Sequence, residues 1–139
     1  MKRILMISSL IVVSYTGAMA QTQAKAQANA TAGNVATARP TLSKNDFVAK
    51  TTQLKTLLDA NNADGAKAKW AEVHQMLITE LNITKHKIFE GGEANKTHNT
   101  EVMIQQRDIY MALIKIKDDL ITNKVAINDK LSAFAATMN

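Results

Sequence analysis

The stretch AKAKWAEVHQMLITELNITKHKI, residues 66–88, decides the fold. Small and apolar side chains recur in it at alternating spacings of four and three residues, which is the period of one helix face. At about 100° per residue, all of them fall within about 40° of Leu77. These positions are Ala66, Trp70, Val73, Leu77, Leu81, Thr84 and Ile88. We therefore predict one long amphipathic helix, which Gly91-Gly92 ends in the manner of a C′ glycine.

A first helix is predicted from its start signals. Ser43 in the N-cap position and Asp46 three residues later resemble a capping box, and Leu42 with Phe47 forms a hydrophobic staple. The helix would run to about Ala60 with four apolar positions, Phe47, Leu54, Leu57 and Leu58. A turn over residues 61–65, capped by Asn62 or Asp64, would lead into the second helix.

Two further stripes follow a predicted polar loop over residues 93–98. The first starts near Thr97 or Asn99 and consists of Val102, Gln106, Ile109, Leu113, Ile116 and Leu120. The second consists of Ile127, Leu131, Phe134 and Met138. A break at residues 121–124, where Thr122 and Asn123 are good cap residues, gives an all-α, antiparallel four-helix bundle. Without that break, the chain would form a three-helix bundle with a long bent third helix.

The N-terminus has the pattern of a cleavable secretory signal peptide over residues 1–20. Lys2 and Arg3 precede an apolar stretch, and Ala18-Met19-Ala20 fits the small-residue cleavage pattern. The apolar stretch has about 12 residues, against about 20 needed to span a bilayer. We predict a periplasmic or secreted protein with no stable membrane anchor after signal cleavage.

Residues 21–41 consist mainly of Ala, Gln, Thr and Asn and end beside Pro40, the only proline. Such a segment has little to bury, so we predict a disordered leader. The helical bundle domain would then comprise residues 42–139. Since the chain has no cysteine, this domain must be stable by packing alone.

The charge of the predicted domain argues against nucleic-acid binding. The whole chain has 17 basic and 12 acidic residues. Only 13 of the basic residues, but all 12 acidic ones, lie from Leu42 onward. The domain is therefore nearly neutral, and it has no cluster of basic residues interleaved with aromatic ones.

The sequence also offers little for catalysis. After residue 20 it has two serines, Ser43 and Ser132, and no cysteine or nucleophile elbow. Adjacent Asp118 and Asp119 would diverge by about 100° on a helix. We predict that the protein is not an enzyme.

Metal binding centres on three histidines spaced twelve residues apart, His74, His86 and His98. His74 would lie about 60° from the core axis and His86 about 180° from it, so these two cannot share one metal. No HExxH or ExxH pattern is present. We predict no cofactor, and the remaining candidate is a copper or haem site on His74 with Met76, Met103 or Met111.

Some apolar residues lie outside the predicted core stripes. Ile104 and Met111 lie about 180° and 160° from Leu113 on the third helix. Met76, Ile78 and Ile83 lie about 100° or more from the core axis of the second helix. Either the bundle buries both sides of these helices, or the residues form an interaction surface for self-association or for an envelope protein partner.

Two stretches of the C-terminal half resemble small, uncharacterised exported helical proteins of Bacteroidota. One runs from Arg107-Asp108-Ile109-Tyr110 to Ile116-Lys117-Asp118, and the other from Asn123-Lys124 through Asp129-Lys130-Leu131 to Phe134. The junction at Ala18-Met19-Ala20-Gln21 is similar too. The resemblance implies export and a helical fold, but it does not identify any functional residues.

These observations predict a non-enzymatic exported helical protein that acts through its surface, as an interaction or envelope-stress accessory protein. The alternative is a helical bundle that binds a small ligand, a metal or haem.

Overall fold

The computed structural model describes residues 39–139 and forms four α-helices. They are α1 (Lys44–Asp59), α2 (Ala63–Glu90), α3 (Gly92–Ile116) and α4 (Lys124–Thr137). No strand occurs in this part of the chain. The predicted all-α fold is confirmed. The predicted signal peptide and residues 21–38 of the predicted leader lie outside the described residues.

The predicted break between the third and fourth helices is present, so the three-helix alternative is wrong. A short 3₁₀ turn, Lys117–Asp119, follows α3. The side chain of Asn123 donates to the carbonyl oxygens of Ile116 and Asp119, at 3.1 and 2.9 Å. Asn123 is the N-cap of α4 but makes no side-chain cap bond to that helix. Its amide therefore satisfies the end of the preceding helix rather than the start of the next.

The first helix begins at the predicted residue, whereas the second begins at Ala63, inside the predicted turn. Ser43 caps α1, although its hydroxyl accepts from the backbone N–H of Asn45 and not from that of Asp46. Asn62 caps α2, because its side-chain oxygen accepts from the N–H of Gly65 at 2.9 Å. Residues 63–65 are therefore the first turn of α2, and the turn predicted over residues 61–65 is wrong for these three residues.

The polar loop predicted over residues 93–98 is wrong, because α3 already begins at Gly92. Gly91 ends α2, and Gly92 reverses the chain with a φ of 69°. Residues 93–98 contain no helix breaker, and Glu93 lies in the first turn, where a negative charge is favourable. The segment is polar because it is a solvated helix.

Each helix packs against two neighbours: α1 and α3 both contact α2 and α4. Lys44, at the start of α1, donates to the carbonyl oxygen of Met138, after the end of α4. Lys124, at the start of α4, reaches Asn61, after the end of α1. These two helices therefore run in opposite directions. The core contains members of every predicted stripe, among them Phe47, Leu77, Leu113 and Phe134.

The helices α2 and α3 are the longest and extend past the other two. Lys50 of α1 pairs with Glu72 of α2. Counting back along antiparallel α1 from Lys50 to its first residue, Lys44, places the start of α1 near residue 78 of α2. About twelve residues of α2 therefore continue beyond α1. Gln106 of α3 bonds to Thr137, the last residue of α4, so residues 92–105 extend beyond α4. Predicted core position Ile88 lies in this extension and is only half-buried.

Candidate functional site

Three aromatic rings stack across the contact between α2 and α3. The Nε2 atom of His74 lies 2.9 Å from the hydroxyl oxygen of Tyr110. The His74 ring is nearly parallel to those of Trp70 and Tyr110, with interplanar angles of 9° and 4°. Trp70 and His74 are four residues apart on α2, so helical geometry aligns them. His74 therefore joins two helices.

This placement does not support the candidate metal or haem role of His74. A metal on Nε2 would have to displace the bond to Tyr110. Met76 packs against the core, whereas Met111 is exposed on α3. Within residues 39–139, no three side chains of His, Cys, Asp or Glu lie close enough together to hold a metal ion.

A buried polar layer lies deeper in the bundle, around Gln106. Its side-chain oxygen accepts from the hydroxyl of Thr84 at 2.8 Å, and its amide donates to the hydroxyl of Thr137 at 3.1 Å. Thr137 in turn donates to the carbonyl oxygen of Phe134. This chain of bonds connects α2, α3 and α4. The sequence pattern predicted Gln106 in the seam but not its partners.

Glu80 belongs to the same region and is only 4 % exposed. Sequence reasoning missed it, although it lies only about 60° from Leu77, at the edge of the core face. Burial raises the pKa of the Glu80 carboxyl above its ordinary value, and the charge of Lys87 and a hydrogen bond from Gln106 oppose this increase. A buried carboxylate that has no close cationic partner destabilises the folded state when it ionises.

Glu80→Gln should therefore stabilise the protein near neutral pH. The pKa of Glu80 is higher in the folded than in the unfolded state, so the folded protein holds this proton more tightly. The protonated carboxyl therefore contributes fully to stability below the unfolded-state pKa, and this contribution is lost as the pH rises through the folded-state pKa. A neutral amide avoids that loss. Urea denaturation should show a more stable variant at about pH 7, with the difference shrinking towards about pH 4.

The matched control is Glu101→Gln, at an exposed position of α3. It should leave the free energy of unfolding nearly unchanged at both pH values. If Glu80→Gln shifted the stability by the same amount at both pH values, ionisation of Glu80 would not be the cause.

The five residues predicted as an interaction surface do not share one face. Ile104 and Met111 are 45 % and 50 % exposed on α3. Met76 instead packs against the core. Ile83 lines a cavity of about 210 Å³ together with residues 39–41, where Arg39 pairs with Glu90.

The angular positions of Met76, Ile78 and Ile83 around α2 explain why these residues do not share one face. Met76 and Ile83 lie about 100° and 120° from Leu77 on the side that faces α1, whereas Ile78 lies about 100° away on the side that faces α3. The exposed apolar side chains Ile104 and Met111, with half-buried Ile78, therefore remain as the candidate surface.

No protein-family model, curated protein or solved structure matches this chain. Among the described residues, no helix is both long and apolar enough to cross a membrane. The fold and the site define a class only: an all-α protein whose described residues form four helices, with exposed apolar side chains on the two longest.

Proposed function

We propose that this protein is an exported, non-enzymatic interaction protein that serves an accessory role in the cell envelope. It acts through apolar side chains on the outer face of α3. The observation that carries the proposal is the exposure of Ile104 and Met111, about half of each side chain, on a helix whose opposite face holds fully buried Leu113. Export is inferred from the signal-peptide pattern of residues 1–20.

The spacing of the two residues supports a shared role. Ile104 and Met111 are seven residues apart, so they lie on the same face two turns from each other. Full burial of such a side chain contributes about 1.5–3 kcal/mol. A partner that covered both would therefore gain a useful part of its binding free energy from these two contacts. Ile104 also lies in the part of α3 that extends beyond α4, so α4 does not cover it.

The combined change Ile104→Glu and Met111→Glu should abolish association and leave the fold intact. Two carboxylates in an apolar interface lose their hydration without gaining partners. Native mass spectrometry of residues 21–139 from periplasmic expression should show an assembled species for the native chain and a monomer for the double variant. Circular dichroism and thermal melting should be nearly equal for the two proteins.

Val125→Glu is the matched control, since Val125 is 68 % exposed on α4, outside the proposed surface. It should associate as the native chain does. A native chain that is a monodisperse monomer and binds no envelope protein would contradict the proposal. So would a double variant that still associates.

A further inference from the structure

The helices α2 and α3 pack side by side as a hairpin, which leaves a shallow outer groove along the line between them. The bond between His74 and Tyr110 marks the side on which each helix faces the other. We define the outer groove as the positions about 60–120° from Leu77 or Leu113 on that side. His74, which stacks on Trp70, lies in this groove. The larger apolar and aromatic side chains of the groove are Ile78, Phe89, Met103, Tyr110 and Ile114. Phe89 is 77 % exposed and the other four are half-buried.

The spacing along α3 is that of a second helix-packing stripe. Met103, Arg107, Tyr110 and Ile114 follow one another at intervals of four, three and four residues. The same interval places such residues at the contact face of helices that pack side by side. This second stripe flanks the core stripe of α3. The helix α2 covers part of it, since Tyr110 stacks on His74, and the other members are half-buried or exposed. A third helix laid between α2 and α3 would contact it.

Charge is segregated across the hairpin. The two helices carry seven basic and seven acidic residues, so together they are neutral. Four of the basic residues lie in the outer groove, namely Lys67, Lys85, Lys96 and Arg107, and all four are exposed. By helical position, none of the seven carboxylates of α2 and α3 lies in that sector.

The ion pairs of these four cations do not neutralise the positive charge of the groove. Lys96 pairs with Glu93 and Arg107 with Asp108, but such exposed pairs are weak. Lys67 and Lys85 have no ion-pair partner within residues 39–139. Two copies of the chain placed groove to groove would bring like charges together. Charge therefore disfavours a second copy as the occupant and favours a partner with acidic groups.

We infer that the outer groove binds an amphipathic helix of another protein, with an apolar face and acidic flanks. This inference rests on the proposed function and names the chemistry of the partner. The groove runs from the level of Lys67 to that of Phe89, about 33 Å along α2, which corresponds to a helix of about 20 residues. Apolar side chains from both helices would hold the apolar face of the partner, and the four cations would meet its carboxylates.

The probe is a designed helical peptide of about 20 residues with Leu in its core positions and Glu at the flanking positions. A second peptide has Lys in place of each Glu. Fluorescence anisotropy with residues 21–139 should show binding of the acidic peptide, weaker at higher salt, and at least tenfold weaker binding of the basic one. Combining Lys85→Glu with Arg107→Glu should weaken binding of the acidic peptide at least tenfold.

The control variant combines Lys55→Glu with Lys115→Glu, which changes the net charge equally at exposed positions outside the groove. It should bind the acidic peptide nearly as the native chain does. Equal binding of both peptides, equal loss in both variants, or no binding tighter than about 1 mM would overturn the inference. Binding to phosphatidylglycerol vesicles that depends on Lys85 and Arg107, without peptide binding, would assign the groove to an anionic lipid surface instead.

The outcomes separate this inference from the proposed function. Ile104 and Met111 lie about 160–180° from Leu113, outside the groove. If the Ile104 and Met111 double variant still associates but the acidic peptide binds, only the proposed surface on α3 is wrong. If association is lost as expected and no peptide binds, only the groove inference fails.

Discussion

Phe134→Ala is expected to lower the free energy of unfolding by about 3–5 kcal/mol, the usual cost of removing a buried phenyl ring. The side chain is fully buried, and its ring centroid lies 5.5 Å from that of Phe47. This pair connects α4 to α1, the last and first helices of the bundle. The loss would be a large part of a total stability that is about 5–15 kcal/mol for a typical domain.

Thermal and urea denaturation should both detect this change, with a fall in Tm of at least about 10 °C. Phe89→Ala is the matched control, because it removes the same ring from an exposed position of α2. It should change the free energy of unfolding by no more than about 0.5 kcal/mol. Equal effects of the two substitutions would mean that Phe134 does not lie in the core as described.

The core was predictable because it depends mainly on local periodicity. Ile127, Leu131, Phe134 and Met138 follow the helical period, and all four are buried. The caps at Ser43 and Asn62 were predictable for the same reason, since a cap acts over two or three residues. The break before α4 was predicted at residues 121–124, where Thr122 and Asn123 are good cap residues.

Local periodicity could not predict the lengths of the helices or where each helix ends relative to its neighbours. Residues 93–98 have the composition of a loop, but they form a solvated helix because Gly92 alone reverses the chain. Ile88 continues the core stripe of α2 and yet leaves the core, because neither α1 nor α4 extends to its level. A stripe shows which face is apolar, and it does not show where the facing helix ends.

The hydrogen-bond partners of His74 and Gln106 could not be predicted from local sequence patterns. His74 bonds to Tyr110 36 positions away, and Gln106 bonds to Thr137 31 positions away. Such pairs depend on the register between helices, which tertiary packing sets. The sequence placed His74 at the edge of the core and Gln106 inside it, but it could not show that each joins two helices.

Gln106→Ala is expected to lower the free energy of unfolding by about 2–4 kcal/mol, since it leaves a cavity and removes hydrogen-bond partners from buried groups. Gln106 is fully buried and connects Thr84 to Thr137. Gln105→Ala is the matched control, because it removes the same side chain from the exposed neighbouring position. Urea denaturation of both variants should show a large loss for Gln106→Ala alone.

The pH dependence of this loss tests whether the layer works as a unit. A hydrogen bond from Gln106 lowers the pKa of Glu80, against the larger effect of burial. Without that bond, the folded-state pKa of Glu80 should rise further, so the ionised carboxylate should cost more at neutral pH. The loss caused by Gln106→Ala should therefore be larger at about pH 7 than at about pH 4, where Glu80 is protonated in the folded state. In a Glu80→Gln background this difference should disappear, since no carboxylate remains to ionise. A loss that stays constant with pH in both backgrounds would mean that Gln106 stabilises the bundle only by packing and by its two threonine bonds.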